Sequence, residues 1–139
     1  MRQHQETLTI ETHGQSLVEF TADVVQIVRA SGIQTGLAHV FCRHTSASLL
    51  IQENADPDVQ RDLLAFFRRL VPDGDPLFIH RAEGPDDMPA HVKAALTQTT
   101  LTIPISKGRV MLGTWQGIYL FEHRTQPHTR QILVHLVGE

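Results

Sequence analysis

Short segments in which polar and apolar residues alternate recur along the whole chain, and they constrain its fold more than any other feature. Residues 5–12 alternate and carry several β-branched side chains. Comparable runs occupy residues 17–20, 36–42, 46–52, 101–105, 109–112, 115–123 and 131–137. Because a period of two is typical of strands with one buried face, we predict a body rich in β-sheet. The sequence at 125–127, Thr-Gln-Pro, predicts a hairpin-like turn between the last two strands.

Three other segments carry helix signals. Thr21 is a suitable N-cap for a helix that Gly32 would end. Asp56 followed by Pro57 predicts the start of a second helix, and residues 89–98 predict a third. Residues 73–90 are predicted to form a loop, with a short strand at 77–80. We therefore expect one α+β domain over residues 1–139, with an antiparallel or mixed sandwich-like sheet body and about three helices.

Composition excludes several classes of protein. The formal net charge is −3 and no run of Lys or Arg is present, so we expect no binding to nucleic acid or to an anionic membrane. No apolar stretch approaches the roughly 20 residues of a membrane span, and the N-terminus lacks the apolar core of a signal peptide. The single cysteine, Cys42, excludes an internal disulfide and is predicted to be a buried, inert thiol. We expect a cytoplasmic protein.

Histidine is the residue whose enrichment bears most on function, since nine occur in 139 residues. His44, His80 and His91 lie among other polar residues, and imidazole both ligates metals and transfers protons near neutral pH. Asp87 precedes His91 by four residues, so on a helix the two would share one face. They could form a metal site or an oriented acid–base pair. The alternative is that Asp87 only caps the helix and His91 is a surface residue.

The other histidines have weaker contexts. His123, between two charged residues, is undecided. The remaining five are interpreted as ordinary surface or strand residues: His4, His13, His39, His128 and His135.

Two further segments offer groups for ligand binding. Thr45 and Ser46 follow His44 where a β-like run is interrupted, which is a position that can aim polar groups at a cleft. Glu53 and Asn54 belong to an oxygen-rich segment that suits calcium or magnesium and that helix capping leaves partly unexplained.

Residues 112–130 supply an aromatic and several basic candidates. Trp115, the only tryptophan, lies between Gly113 and Gly117 and could stack on a heterocycle or a cation, with a core position on a bulged strand as the alternative. Arg130 could bind a phosphate or another anion, with a solvated cross-strand charge ladder as the alternative.

Taken in order, these motifs resemble the YjbQ-like family, often labelled secondary thiamine-phosphate synthase. The motifs that carry the resemblance are residues 44–47, 53–59, 80–84, 86–93 and 112–118, with the segment that ends at Arg130. The resemblance implies a compact α+β or sandwich-like fold, a homotrimer, and a polar pocket that gathers His44, His80 and His91 near a subunit boundary. It also implies a weak ability to make thiamine phosphate.

Three functional hypotheses follow. The first is an enzyme that joins a pyrimidine methyl diphosphate to a thiazole phosphate, for which Lys93, Arg124 and Arg130 are the available cations. The second is a metal-dependent hydrolase in which three histidines hold the ion and Glu83 or Asp87 orients a ligand or acts as base. The third is a trimeric module that binds a small phosphorylated or anionic metabolite.

The candidate site residues are common to these hypotheses. The catalytic candidates are His44, Glu53 and His91. The candidate ligands for a divalent metal ion, zinc or magnesium, are His44, His80, Asp87 and His91. The candidate substrate-binding residues are Thr45, Ser46, Asn54, Glu83, Trp115 and Arg130.

Overall fold

The computed structural model describes residues 1–139, in which eight strands and three helices form an α+β fold. The strands are β1 (Arg2–Thr12), β2 (Ser16–Glu19), β3 (Thr35–Cys42), β4 (Ala47–Glu53), β5 (Thr100–Ser106), β6 (Arg109–Val110), β7 (Gln116–Glu122) and β8 (His128–Gly138). The helices are α1 (Thr21–Ser31), α2 (Pro57–Leu70) and α3 (Asp87–Leu96). The predicted fold class is confirmed.

The strands are divided between two antiparallel sheets. The larger sheet has the order β1-β8-β3-β5-β6, and the smaller has the order β2-β7-β4. The alternation seen in the sequence places one face of each long strand inside. In β8, for example, Ile132, Val134 and Leu136 are fully buried, and the residues between them are not.

The main core lies between the two sheets and α1. Val24 and Val28 of α1 are fully buried, as are Ile118 and Leu120 on one face of β7. The other face of β7 is covered by α2, where the ring of Phe67 meets Phe121 edge-on with centroids 5.2 Å apart. β7 is therefore buried on both faces, which explains its nearly continuous apolar sequence.

Local signals fix the helix ends. The side chain of Asp56 accepts a hydrogen bond from the backbone N–H of Asp58 and caps α2 as predicted. Gly32 ends α1 in the left-handed conformation with φ 74°, also as predicted. The predicted N-cap of α1 is wrong by one residue. Thr21 is already helical, and its hydroxyl bonds to Glu19 and to the N–H of Ile118.

Two local predictions are wrong. Residues 125–127 do not join a hairpin, because β7 and β8 belong to different sheets and this turn crosses between them. Residues 77–80 form no strand. There the N–H of Leu77 donates to the side chain of Asp75, a local turn bond that competes with strand pairing.

Cys42 is buried as predicted, with 1% of its surface exposed. Burial raises the pKa of its thiol to about 11, so the thiolate form is suppressed. No helix has both the length and the apolar character that crossing a membrane requires.

Candidate functional site

Two histidines meet one aspartate at the start of α3. The Nε2 atom of His80 lies 2.8 Å from Oδ2 of Asp87, and Nε2 of His91 lies 3.1 Å from the same oxygen. One ligand atom from each of the three residues lies within 4.8 Å of the others. Because α3 begins at Asp87, His91 follows one turn later on the same face, whereas the preceding loop delivers His80.

The second nitrogen of His91 fixes the protonation of its ring. Nδ1 lies 2.8 Å from the backbone carbonyl oxygen of Thr45, which can only accept a hydrogen bond, so Nδ1 carries a proton and donates it. In a neutral ring, Nε2 would then direct a lone pair at the carboxylate of Asp87. That lone pair and the carboxylate would repel each other. A positive charge at Nε2, either a proton or a metal ion, removes the repulsion. A histidine that binds a metal typically donates a hydrogen bond from one ring nitrogen to a backbone or carboxylate oxygen, and it binds the metal through the other nitrogen.

The carboxylate of Asp87 is anchored on its other side. Its Oδ1 lies 2.9 Å from Nη1 of Arg124, so Oδ2 alone faces the histidines. Burial by itself would raise the pKa of Asp87, but hydrogen bonding to His80 and the positive charges of His91 and Arg124 lower it. The side chain is therefore an anion at neutral pH although only 2% of it is exposed.

Asp86 holds Arg124 in place. Its Oδ2 accepts from Nε of Arg124 and from the N–H of Thr125, both at 2.9 Å. Burial would raise the pKa of Asp86, but these bonds and the guanidinium charge lower it to about 2. The backbone carbonyl of Glu83 also accepts from Arg124, while the Glu83 carboxylate is exposed and 4.0 Å away. Arg124 thus links the loop, the start of α3 and the turn after β7.

His44 does not join the other two histidines. Its Nε2 accepts a hydrogen bond from the backbone N–H of Gln131 at 2.8 Å, which directs this nitrogen away from the cluster. Burial and then the charge of Arg130 lower its pKa, so the ring is neutral. We expected His44, His80 and His91 to converge on one point, and this expectation is wrong for His44. His44 instead lines a neighbouring cavity of about 260 Å³ with Thr45, His91, Ala94, Ala95 and Thr99.

Two predicted binding residues are buried in a structural network. Arg130 is 4% exposed, and its Nε donates to Oε1 of the fully buried Glu122 at 2.7 Å. Its Nη2 donates to Oγ of Ser46 at 3.0 Å, and Ser46 is itself buried. Thr12 also donates to Glu122. Arg130 and Ser46 therefore connect the two sheets and do not face a ligand. The alternative prediction, that Arg130 belongs to a solvated cross-strand charge ladder, is wrong as well.

The remaining candidates lie elsewhere. Glu53 and Asn54 are at the far end of β4, about 20 Å along the strand from the histidine end. Trp115 is 62% exposed, so a core position is wrong. The reason is that Trp115 lies in the turn before β7 and not in the strand.

Strand alternation could have predicted the buried pair. Ile118 and Leu120 point into the core, which places Glu122 inside as well. On β8 the buried position Ile132 likewise places Arg130 inside. Because side chains on a strand alternate between its two faces, the sequence could have predicted that Glu122 and Arg130 both lie in the core. The position of Arg124 beside Asp86 and Asp87 depends on a long-range contact that no local pattern signals.

His123, which the sequence left undecided, is buried and is predicted to make the protein sensitive to acid. Its Nε2 lies 2.8 Å from Oγ of Ser48, and its Nδ1 has no partner. Burial and then the charge of Lys93 lower its pKa from 6.5 to about 3. Between these values an unfolded chain takes up a proton that the folded chain refuses, so stability is present above pH 6.5 and falls as the pH drops. We expect a loss of about 2 kcal/mol between pH 6.5 and pH 5.

Urea unfolding of the wild type and of His123→Asn at several pH values measures this effect. The variant is expected to lose less stability on acidification than the wild type, whereas the exposed control His13→Asn should retain the wild-type slope. Equal slopes for the wild type and His123→Asn would contradict the assignment.

Comparison with known proteins places the chain. Residues 6–139 match the model of the UPF0047 protein YjbQ-like family. The UPF0047 protein sll1880 of Synechocystis sp. is 56% identical over 138 residues, covering 99% of this chain and 94% of that protein. The UPF0047 protein YjbQ of Escherichia coli O157:H7 is 42% identical, covering 98% of this chain and 99% of that protein.

Solved structures agree with these sequence matches. A YjbQ/UPF0047 family protein from Clostridium acetobutylicum superposes with a TM-score of 0.87 at 36% identity, covering 95% of this chain and 99% of the other. The hypothetical protein APE1520 of Aeropyrum pernix K1 gives a TM-score of 0.89 at 26% identity, covering 98% and 99% of the two chains. By sequence and by fold, the chain belongs to the YjbQ-like UPF0047 family.

Proposed function

We propose that the chain is a metal-dependent hydrolase of a small phosphorylated metabolite, with His80, Asp87 and His91 as the ligands of one divalent ion. The observation that carries this proposal is the hydrogen bond from Nδ1 of His91 to the carbonyl of Thr45, which leaves Nε2 as the ring nitrogen that faces the carboxylate of Asp87. A cation at this point satisfies both groups.

The geometry fits zinc closely. Ligand atoms on a tetrahedral zinc with bonds of about 2.0–2.1 Å lie about 3.3 Å apart. The two nitrogen-to-oxygen separations, 2.8 and 3.1 Å, would need to widen by a few tenths of an ångström, and the two histidine nitrogens lie within 4.8 Å of each other. Two imidazole nitrogens favour zinc over magnesium, which prefers oxygen ligands.

The surroundings leave room for chemistry. Three protein ligands leave an open position for water, which a bound divalent ion makes more acidic. His80 is about half exposed, with 47% of its side chain accessible, so water would reach an ion held by these residues. Arg124 keeps Asp87 ionised and orients its free oxygen toward the histidines.

The proposed substrate is a small anion, because a divalent ion bound by two neutral imidazoles and one carboxylate keeps a net positive charge. The basic residues that the sequence offered to a phosphate are already engaged or buried. Arg124 pairs with Asp86 and Asp87, Arg130 pairs with Glu122, and Lys93 is 2% exposed. A metal ion would therefore supply the positive charge that binds phosphate. The cavity beside His91 and His44 would receive the rest of a small molecule.

Thiamine-phosphate synthesis is the second candidate, supported by the family resemblance. The same metal could hold the diphosphate of a pyrimidine methyl diphosphate as it leaves. Because Arg124 and Arg130 are paired with acids and Lys93 is buried, the basic residues favour this candidate less than the hydrolase. Product analysis separates them: hydrolysis releases phosphate from a single substrate, whereas synthesis requires both substrates and yields thiamine phosphate.

For assembly we propose a homotrimer in the cytoplasm. Leu37 and Phe41 support association, since they lie on the central strand β3 yet are 39% and 46% exposed. Light scattering that gave the mass of a single chain would contradict the trimer.

Metal content tests the proposed site directly. Untagged protein stripped with a chelator is expected to bind about one Zn²⁺ per chain in a calorimetric titration and to melt at a higher temperature when loaded. Magnesium at the same concentration should give little shift. Less than roughly a tenth of a metal per chain after zinc loading and gel filtration would overturn the proposal.

A further inference from the structure

The residues that the metal cluster leaves unused gather around a second depression. Leu17, Glu19, Asn54, Ala55, Pro57, Gln60 and Tyr119 line a cavity of about 240 Å³. It lies where β2, the end of β4 and the start of α2 meet. The histidine cluster is at the opposite end of β4, so the two sites are separate.

One carboxylate dominates this cavity. Oε2 of Glu19 accepts from the hydroxyl of Thr21 at 2.8 Å and from Nδ2 of Asn54 at 3.3 Å, which fixes its direction. No nitrogen of Lys, Arg or His lies within 4.0 Å of either carboxylate oxygen, so no basic side chain of the chain pairs with this exposed acid.

The strand beneath is shaped to admit this carboxylate. A Cβ atom at Gly117 would lie 2.7 Å from Oε2 of Glu19 and 3.1 Å from Cβ of Asn54. Any side chain at this position would displace Glu19. Gly117, singled out in the sequence together with Trp115, therefore leaves the space that the acid occupies.

Further acceptors face the same cavity. The ring of Tyr119 is buried, and its hydroxyl accepts from Nε2 of Gln60 at 2.8 Å. Burial raises the pKa of Tyr119 and the charge of Glu19 raises it further, which reflects a negative local potential. The side chains of Leu17, Ala55 and Pro57 give the cavity an apolar wall.

The backbone of the single tryptophan contacts one residue of this cavity. The N–H of Asn54 donates to the backbone carbonyl of Trp115 at 2.9 Å, and the indole is 62% exposed. A carboxylate that no basic side chain neutralises, beside an apolar wall, suits an organic cation. A metal ion suits it less, because the only group of three metal-ligating side chains in the chain is the one at His80, Asp87 and His91.

We infer that the cavity between Glu19, Asn54, Gln60 and Tyr119 is a second binding site, specific for a small organic amine in its protonated form. The ammonium group would pair with Glu19 and donate to the neighbouring oxygens, and the carbon skeleton would lie on the apolar wall. This site does not depend on the metal proposed above.

Benzylamine, which is protonated at neutral pH, is the probe, and benzyl alcohol is its neutral counterpart of the same shape. Isothermal titration calorimetry measures binding directly. We expect saturable binding of benzylamine, with benzyl alcohol at least about tenfold weaker.

Glu19→Gln removes the charge while keeping the shape, and the exposed position makes a folding defect unexpected. This variant should weaken benzylamine binding at least about tenfold, and the control Glu6→Gln on β1 should leave it unchanged. Gly117→Ala should weaken it as well, by displacing Glu19. Equal binding of amine and alcohol, no response at millimolar amine, an unaffected Glu19→Gln, or a response to Ca²⁺ but not to benzylamine would each overturn the inference.

Discussion

Replacing Glu122 by alanine is expected to lower the free energy of unfolding by about 3–5 kcal/mol, the largest single-residue effect on stability that we foresee. Glu122 is fully buried and Arg130 is 4% exposed, so the variant would leave a guanidinium charge in the core without a counter-charge. The hydroxyl of Thr12 would lose its acceptor in the same step. Chemical denaturation monitored by far-UV circular dichroism measures the change.

Two comparisons make this test specific. The exposed ion pair between Arg61 and Asp58, at 3.3 Å, is a matched control, and Arg61→Ala should cost less than about 1 kcal/mol. The double variant Glu122→Leu/Arg130→Met removes both charges and should recover much of the stability lost in Glu122→Ala. If Glu122→Ala were no more harmful than Arg61→Ala, the pair would not have the role in the core that the structure gives it.

The sequence predicted the local parts of this fold well because their causes are local. Alternation predicts a strand wherever one face is buried, and Asp56 with Pro57 predicts the start of a helix. It did not predict which strands pair. The turn at 125–127 has hairpin chemistry, yet β8 pairs with β1 over eleven residues and leaves β7 to the other sheet. That choice depends on packing across the whole core, which a short window of sequence does not contain.

The local part of the candidate site could likewise be predicted from the sequence, and the long-range part could not. The i, i+4 spacing of Asp87 and His91 is a helix property and could be read directly. The arrival of His80 from a loop, and of Arg124 from the turn after β7, depends on tertiary contacts. Arg130 was assigned to ligand binding because a guanidinium group can bind phosphate bidentately. The alternation of side chains along β8, which places Arg130 in the core with Glu122, predicts its position correctly.

Replacing His91 by alanine is expected to lower the affinity for Zn²⁺ at least about 100-fold, the largest effect on function that we foresee. The variant removes one of only three ligands and frees the carbonyl of Thr45. His91 is partly exposed, with 30% of its side chain accessible, so the fold should survive the change. Calorimetric titration of chelator-stripped protein gives the affinity, and circular dichroism checks the fold.

His44→Ala is the matched control, because His44 lines the adjacent cavity but bonds to Gln131 and lies outside the ligand set. It should leave the zinc affinity within about threefold of the wild type, whereas His80→Ala should resemble His91→Ala. Arg124→Gln, which releases Oδ1 of Asp87 without touching a ligand, should weaken zinc about 10–100-fold. If His44→Ala lost zinc and His80→Ala kept it, the ion would be bound through the cavity and not by the cluster at the start of α3. If all four variants bound zinc as the wild type does, the cluster at the start of α3 would not be the zinc site, and the hydrolase proposed on these ligands would be excluded.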